Sequence, residues 1–537
     1  MAPLVVFDQL AGDSPTAKVF LLVLLPLLLL FVLLRCFFTT GAGSGRDRKR
    51  LPPSPPALPL IGHVHLVGAL PHVSLRGLAE RHGVDGLIML RLGVVPTLVA
   101  SSVRAAQAVL LTHDQLFSSR PRSVCGDVLL YGPSDIAMAP YGEQWRLAKK
   151  LSTTHLLSAK KVQSYRAARK EEVELVINKI HGAAATRTVV NMTELLTKFT
   201  NDIVCRAVAG RSFRVEGRDR VFRELIDQGT ALVTGFNLEN LYPGLAKAAG
   251  GVLVSPARRK AERLRDTWDM LLDKLIDEHA SEIAAAATRL EDTGGNDREY
   301  DFIHVLLSVQ HEYGLTRESI KGILEDMFAA STDTTYLILE FAMAELMLHQ
   351  DIMSKLQDEV RSTRLCQEAI SEDNLSRMTY LKAIIKETLR LHPPAPLLIP
   401  HLSLEDCDVV DNFKVPAGTT VLVNVWAIGR DPRTWDNAEE FMPERFIHDG
   451  QIGGVDFRGK DFRYLPFGSG RRMCAGMNFA LATIEIMLAN LVYHFDWELP
   501  KGADKIDMTE VFGLTARRKE KLLLVPSARD TVCPSKG

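Results

Sequence analysis

The sequence of 537 residues has no surplus of basic charge: 64 Lys and Arg stand against 65 Asp and Glu, for a formal net charge of -1 and a pI near 7.0. A chain so balanced carries no electrostatic footprint of a nucleic-acid partner. Cysteine is scarce as well. Seven occur (Cys36, Cys125, Cys205, Cys366, Cys407, Cys474 and Cys533), scattered and odd in number, with no CxxC spacing. That argues against a disulfide frame or a zinc site and for a reducing compartment. No internal repeat stands out. What is present is a hydrophobic content of 46 %, enough for a sizeable core. The length exceeds that of a simple domain but suits one large α-rich domain.

Only one long stretch is free of charge and almost wholly apolar, from Val19 to Leu34; Arg35 interrupts it and Cys36, Phe37 and Phe38 continue it. About twenty apolar residues cross a bilayer, so 19–38 is expected to be a single transmembrane anchor, with 1–18 on the lumenal side. A cleaved signal peptide is the rival reading, but the charge sits on the wrong side for it. Arg46, Arg48, Lys49 and Arg50 follow the run and only Lys18 precedes it, which places the bulk of the chain in the cytosol. Residues 39–62 form a basic and proline-rich linker, stiffened by Pro52, Pro53, Pro55 and Pro56. The remainder divides into one domain, 63–527, and a disordered tail, 528–537.

Residues 86–100 read as a β-hairpin. The region Ser118 to Gly142 is rich in Gly, Pro and Ser and reads as a long loop. Residues 150–310 read as amphipathic helices, with Ala284 to Asp301 as a surface loop. Thr316 caps a helix expected to reach about His349. The prolines after Leu391 exclude helix up to Pro400. The apolar spacing from Met477 to His494 predicts another helix. The fold class is mainly α with small β-sheets (α+β).

Just before that last helix stands Phe467-Gly468-Ser469-Gly470-Arg471-Arg472-Met473-Cys474-Ala475-Gly476. A cysteine at a helix N-terminus meets the positive end of the dipole and free backbone N–H groups, which favour its thiolate, and the two arginines push the same way. Gly468, Gly470 and Gly476 allow tight turns and close approach to a flat ligand. A buried cysteine in a glycine-rich turn is the bland alternative for these residues. In the Thr316 helix lies Ala329-Ala330-Ser331-Thr332-Asp333-Thr334-Thr335. Such a polar run inside a buried helix either bonds its own carbonyls or serves a polar task.

Taken together, these motifs resemble the cytochrome P-450 family, in which a cysteine thiolate is the axial ligand of haem iron. The resemblance implies that Cys474 ligates the iron, that Phe467 covers the sulfur, that Gly476 belongs to the haem-binding loop, and that Arg472 reaches a propionate. It implies that Trp145 and Lys149 also touch the haem, although the family usually has arginine at the second position. It makes Asp333 and Thr334 the acid–alcohol pair that relays protons during oxygen activation. Ala330 and Ser331, the latter in place of the family's usual glycine, then line the oxygen groove and touch substrate. Ala395, Leu397, Leu398 and Phe512 are further expected substrate contacts, and the loop from Val124 to Ala139 covers the substrate. Glu387, Arg390 and Arg445 form a buried structural trio.

The resemblance is to plant microsomal members with the P-450 fold and one N-terminal transmembrane helix in the endoplasmic reticulum. It implies haem, O2 and electrons from NADPH through a reductase. The implied partners are that NADPH-cytochrome reductase, cytochrome b5, membrane lipid and a small-molecule substrate, with no nucleic acid. The stretches LPLIGHVHLVG, HEYGLT, LRLHPPAPLLIPH and DMTEVFGLT are similar to grass benzoxazinoid-pathway monooxygenases of indole and indolinone compounds. The expected reaction is insertion of one oxygen atom from O2 into a small apolar or aromatic compound of that kind. A haem-thiolate isomerase or dehydratase working without a reductase, and a non-catalytic haem carrier, are the alternatives; the Asp333–Thr334 pair argues against both.

Overall fold

The structure of the protein is a computed structural model. It describes residues 51–529 except 133, 215–217, 235–237, 245–255, 291–300, 363–368, 448–453 and 504, and of the first fifty only 23 and 27. The expected anchor, 19–38, and all but the start of the expected tail thus lie outside the described residues. Among the described residues no helix is long and apolar enough to cross a membrane.

Thr316 starts the element that the fold surrounds. Its Oγ1 accepts the backbone N–H of Ser319 at 3.1 Å, and the helix Arg317–Leu348 then runs for 32 residues, roughly 48 Å. Every residue from Thr335 to Leu346 is buried. A helix enclosed on all sides needs partners all round, and it packs against Met192–Ala209, Thr379–Leu391 and Met477–His494. Two of its buried acids, Glu340 and Glu345, find partners within the core, as burial of charge requires. Glu340 accepts from Thr193 Oγ1 at 2.6 Å, and Glu345 meets His392 Nε2 at 2.7 Å.

The largest sheet has four strands, in the order Leu87–Leu92, Val95–Ala100, Thr420–Val423, His401–Leu402. The first two form the expected hairpin, turned through Gly93 at φ +63°. Val95–Ala100 pairs parallel with Thr420–Val423, which takes His401–Leu402 antiparallel on its other edge. This pairing holds the proline-rich segment before His401 beside the long helix. A three-stranded sheet (Val190–Asn191, Leu523–Ala528, Phe495–Glu498) and two short hairpins complete the β structure.

Three local expectations are corrected. The prolines of 51–62 are packed along the sheet: Pro53 O accepts the N–H of Met89 at 2.8 Å and Pro55 O meets His63 Nε2 at 2.9 Å. Proline lacks a donor but keeps its carbonyl, so an edge strand can still use it. Within 118–142 there is a helix, Val124–Leu129, started by Ser123, whose Oγ accepts the N–H of Gly126 at 3.2 Å. The helix Pro256–Leu290 continues through Ala284 to Leu290, where the run of alanines favours helix over the expected loop.

Candidate functional site

Gly468 and Gly470, at φ +69° and +68°, fold the chain back so that the N–H of Cys474 donates to Phe467 O at 3.0 Å. The Cys474 thiol opens onto a deep internal cavity at the start of Met477–His494. Burial pushes its pKa up; the N–H of Gly476, the Lys149 ammonium and the N–H of Met477 pull it back. The two arginines do not act on the sulfur as the sequence suggested. Arg471 pairs with Asp114 near the surface, and Arg472 turns to carbonyls. Gly470 is needed for contact with protein rather than with a flat ligand, since a Cβ there would lie 2.5 Å from Leu110 O and from Asp114 Oδ1.

Three cations converge on one side of this cavity. Arg472 donates to Ser118 O at 2.7 Å, Ala139 O at 2.6 Å and Ile136 O at 3.2 Å. Arg120 donates to Ala137 O, Ile399 O and Pro400 O. Lys149 donates to Arg471 O and Met473 O. Trp145 supports them: its indole N–H donates to Ile136 O at 3.0 Å, with Arg472 4.1 Å and Lys149 5.3 Å from its ring centre. Burial pushes the pKa of all three cations down, that of Arg472 to about 10. Among the described residues none of the three is in a salt bridge with a carboxylate. Desolvated cations facing a cavity call for anionic groups inside it. With a thiol aimed into the same space, the residues fit a flat dianion such as haem, which Cys474 would ligate and whose carboxylates Arg120, Lys149 and Arg472 would hold.

The facing wall is the middle of the long helix. Ala330, Ser331 and Thr334 line the cavity, and Thr334 Oγ1 donates to Ala330 O at 2.8 Å. Asp333 is not among the lining residues. Burial pushes its pKa up to about 7, with the Asp227 charge adding to the rise and Arg517 opposing it. Phe467, Arg472, Gly476, Ala395 and Leu398 join the lining, whereas Leu397 and Phe512 do not. Leu398 has φ +52°, which breaks the extended alternation, and Leu397 turns into a separate apolar cluster with Leu75, Ile88 and Leu422. Phe512 packs against that same cluster, its ring 5.7 Å from His72.

Of the segment expected to cover the substrate, Ile136 and Ala137 reach the cavity. They are held by Asp326, a lining residue that sequence reading missed. Its Oδ2 accepts the N–H of Ile136 and, at 3.1 Å, of Ala137. Burial pushes Asp326 up to about 6, and neighbouring Asp135 is raised by burial and by the Asp326 charge. Burial and the neighbouring negative charge both favour the protonated form of Asp135. Glu325, raised by burial, completes the acidic group. The signal was the pair Glu325-Asp326 in the apolar run of the long helix. Arg120, buried and lining, was also missed; His401, buried and lining, is satisfied structurally, its Nδ1 meeting Phe117 O at 2.8 Å.

Beneath the loop, Glu387 takes two bonds from Arg390, both at 2.7 Å, and one from Arg445 Nε at 3.0 Å. All three side chains are fully buried or nearly so. Arg390 and Arg445 both lie over Trp435, which begins an aromatic chain through Phe446, Tyr464 and Phe457 to Phe467. Packing thus links the ionic trio to the cysteine loop.

A family model described as Cytochrome P450 matches residues 52–525. Among curated proteins, the chain is 51 % identical to an indolin-2-one monooxygenase of Zea mays, over 96 % of this chain and 97 % of that protein. It is 52 % identical to an indole-2-monooxygenase of Zea mays, covering 95 % of each, and 49 % identical to a 3-hydroxyindolin-2-one monooxygenase of Zea mays, covering 89 % and 88 %. Among solved structures, a zebrafish cytochrome P450 with progesterone superposes with a TM-score of 0.71 at 23 % identity, over 86 % of this chain and all of that one.

Proposed function

This chain belongs to the cytochrome P450 family, and from that premise we propose that it is a membrane-anchored haem-thiolate monooxygenase of indole-type compounds. It is an oxidoreductase that uses O2 and takes electrons from NADPH through a reductase. The observation that carries the reading is one cavity into which the Cys474 thiol, the cations Arg120, Lys149 and Arg472, and the Thr334 face of the long helix all turn. Haem bound through the Cys474 thiolate supplies the redox and oxygen-activating chemistry. Arg120, Lys149 and Arg472 hold its carboxylates, and the N–H groups of Gly476 and Met477 support the thiolate. Thr334 presents a hydroxyl to the cavity, and Asp333, with a pKa near neutrality, holds a proton on the solvent side of the same helix. Ala330, Ser331, Ala395 and Leu398 shape an apolar site for a small flat substrate.

Indole and indolinone compounds are the proposed substrates because the maize relatives named above act on them and share about half of this sequence. The run 19–38 is the proposed single-pass anchor in the endoplasmic reticulum, with the catalytic domain in the cytosol. Membrane lipid and, as a second electron donor, cytochrome b5 are the further partners. The test uses microsomes that contain the full chain and reductase. NADPH should drive oxygenated product from a panel of indole-type compounds, read by mass spectrometry; turnover without NADPH would overturn the monooxygenase reading. Deleting 1–38 should weaken membrane association, and in sealed vesicles added protease should reach residues beyond Pro52.

A further inference from the structure

Away from the cavity, three elements meet at Asp301. It caps the helix Phe302–Ser308, its Oδ1 accepting the backbone N–H of His304 at 3.0 Å. Gly210, which ends Met192–Ala209 at φ +68°, lies so close that a Cβ there would come within 2.8 Å of Asp301 Oδ2. The third element, the helix Pro256–Leu290, contributes His279, only 2 % exposed.

The bonding of His279 poses a chemical problem. Its Nδ1 lies 2.7 Å from Leu275 O. A carbonyl only accepts, so Nδ1 carries the hydrogen. Its Nε2 then faces Asp301 Oδ2 at 3.3 Å, and in a neutral ring this sets a lone pair against a carboxylate. Something must lie between them: a proton, on the ring or on the acid, or a metal ion. The same Asp301 Oδ2 lies 2.8 Å from His304 Nδ1. One nitrogen from each histidine and the carboxylate oxygen lie within 4.8 Å of one another.

We propose that His279, Asp301 and His304 bind one zinc-class divalent ion. Two imidazoles and one carboxylate suit zinc, whereas magnesium and calcium prefer all-oxygen sets. Each ring is also oriented from behind, as metal-bound histidines are. His279 is fixed by Leu275 O, and His304, ligating through Nδ1, turns Nε2 toward the Glu282 carboxylate at 3.7 Å. Water takes the fourth position. The ion ties the helix Pro256–Leu290 to the helix Phe302–Ser308, and its role is structural, remote from the oxidation chemistry.

The test measures zinc in the purified, haem-loaded full chain after treatment with a chelator, dialysis and titration with zinc alone. Wild type should bind one equivalent that His304→Gln and Asp301→Asn bind at least tenfold more weakly. Asn still caps a helix, so Asp301→Asn keeps the fold, and an unchanged haem spectrum verifies this for both variants. Zinc should also raise the melting temperature of wild type and of neither variant. Wild type that binds no zinc, or variants that keep the same equivalent, would overturn the proposal, and a protonated His279 paired with Asp301 would take its place.

Discussion

Thr334 donates its hydroxyl hydrogen to the carbonyl oxygen of Ala330, one turn back on the same helix, at 2.8 Å. The bond fixes the oxygen at the cavity wall with its lone pairs free to receive a proton. Thr334→Ala should therefore leave haem and substrate binding intact while reducing product per NADPH consumed, with more peroxide released. The loss should lie at or below the low end of the 10²–10⁴-fold range for acid–base groups, because water partly replaces a hydroxyl. Parallel assays of NADPH, peroxide and product check it. Unchanged coupling would reduce the hydroxyl to helix packing.

Asp333 gives a pH prediction. Its folded-state pKa is raised from 3.8 to about 7, so the fold prefers the protonated acid. The ionised form costs stability increasingly from about pH 4 to pH 7 and by a constant amount above. Asp333→Asn removes that cost. The variant should gain over wild type most at pH 8 and least near pH 4, by at most a few kcal/mol because the side chain is partly exposed. Melting curves at several pH values check the sign; a gain that shrinks with rising pH would refute it.

Cys474→Ser should abolish the far-red-shifted absorbance of the reduced carbon-monoxide complex that marks thiolate ligation. A variant that kept the band would dismiss Cys474 as the ligand.

Removing Arg445 leaves Glu387 with one of its two cations in a buried site. Breaking a buried ionic group typically costs about 3–5 kcal/mol. Arg445→Ala should give little haem-loaded protein on expression and a markedly lower melting temperature. Arg445→Lys should restore it only in part, since lysine cannot reproduce the fork that also reaches Asp436 O and Asn437 O.

Asp326→Ala frees the N–H groups of Ile136 and Ala137 from their shared acceptor. Each orphaned donor costs about 1–3 kcal/mol, and the segment over the cavity loosens. KM should rise more than kcat falls, and Asp326→Asn, which keeps an acceptor, should lie between. Steady-state kinetics decide it; an effect on kcat alone would place Asp326 elsewhere in the reaction.

What the sequence made legible were positions fixed by neighbours in the chain. Thr316 starts its helix as a capping residue should, and Gly93 turns the hairpin whose alternation was plain. The Cys474 loop carried its own glycines. What stayed hidden depends on distant contacts or on one dihedral angle. Leu398 at positive φ exchanges the facing of Leu397 and Leu398, which no spacing rule foresees. Asp326 becomes part of the site because it meets backbone some 190 residues earlier. The fields of Arg471 and Arg472 at the sulfur were overestimated because their partners, Asp114 and the carbonyls of the 118–139 segment, come from another part of the chain.

The parallel pairing of Val95–Ala100 with Thr420–Val423 also dictates the order in which the protein can be completed. The two strands are separated by about 320 residues. At roughly 5–20 residues per second, a ribosome needs on the order of a quarter-minute to a minute to supply the second after the first has emerged. For that time the hairpin carries an open apolar edge, a template for wrong pairing with other nascent chains. The cysteine loop is made later still, so a group held there would be captured only after both strands have emerged. Yield of active protein should therefore depend on chaperone cover and haem supply during translation more than on the stability of the finished fold.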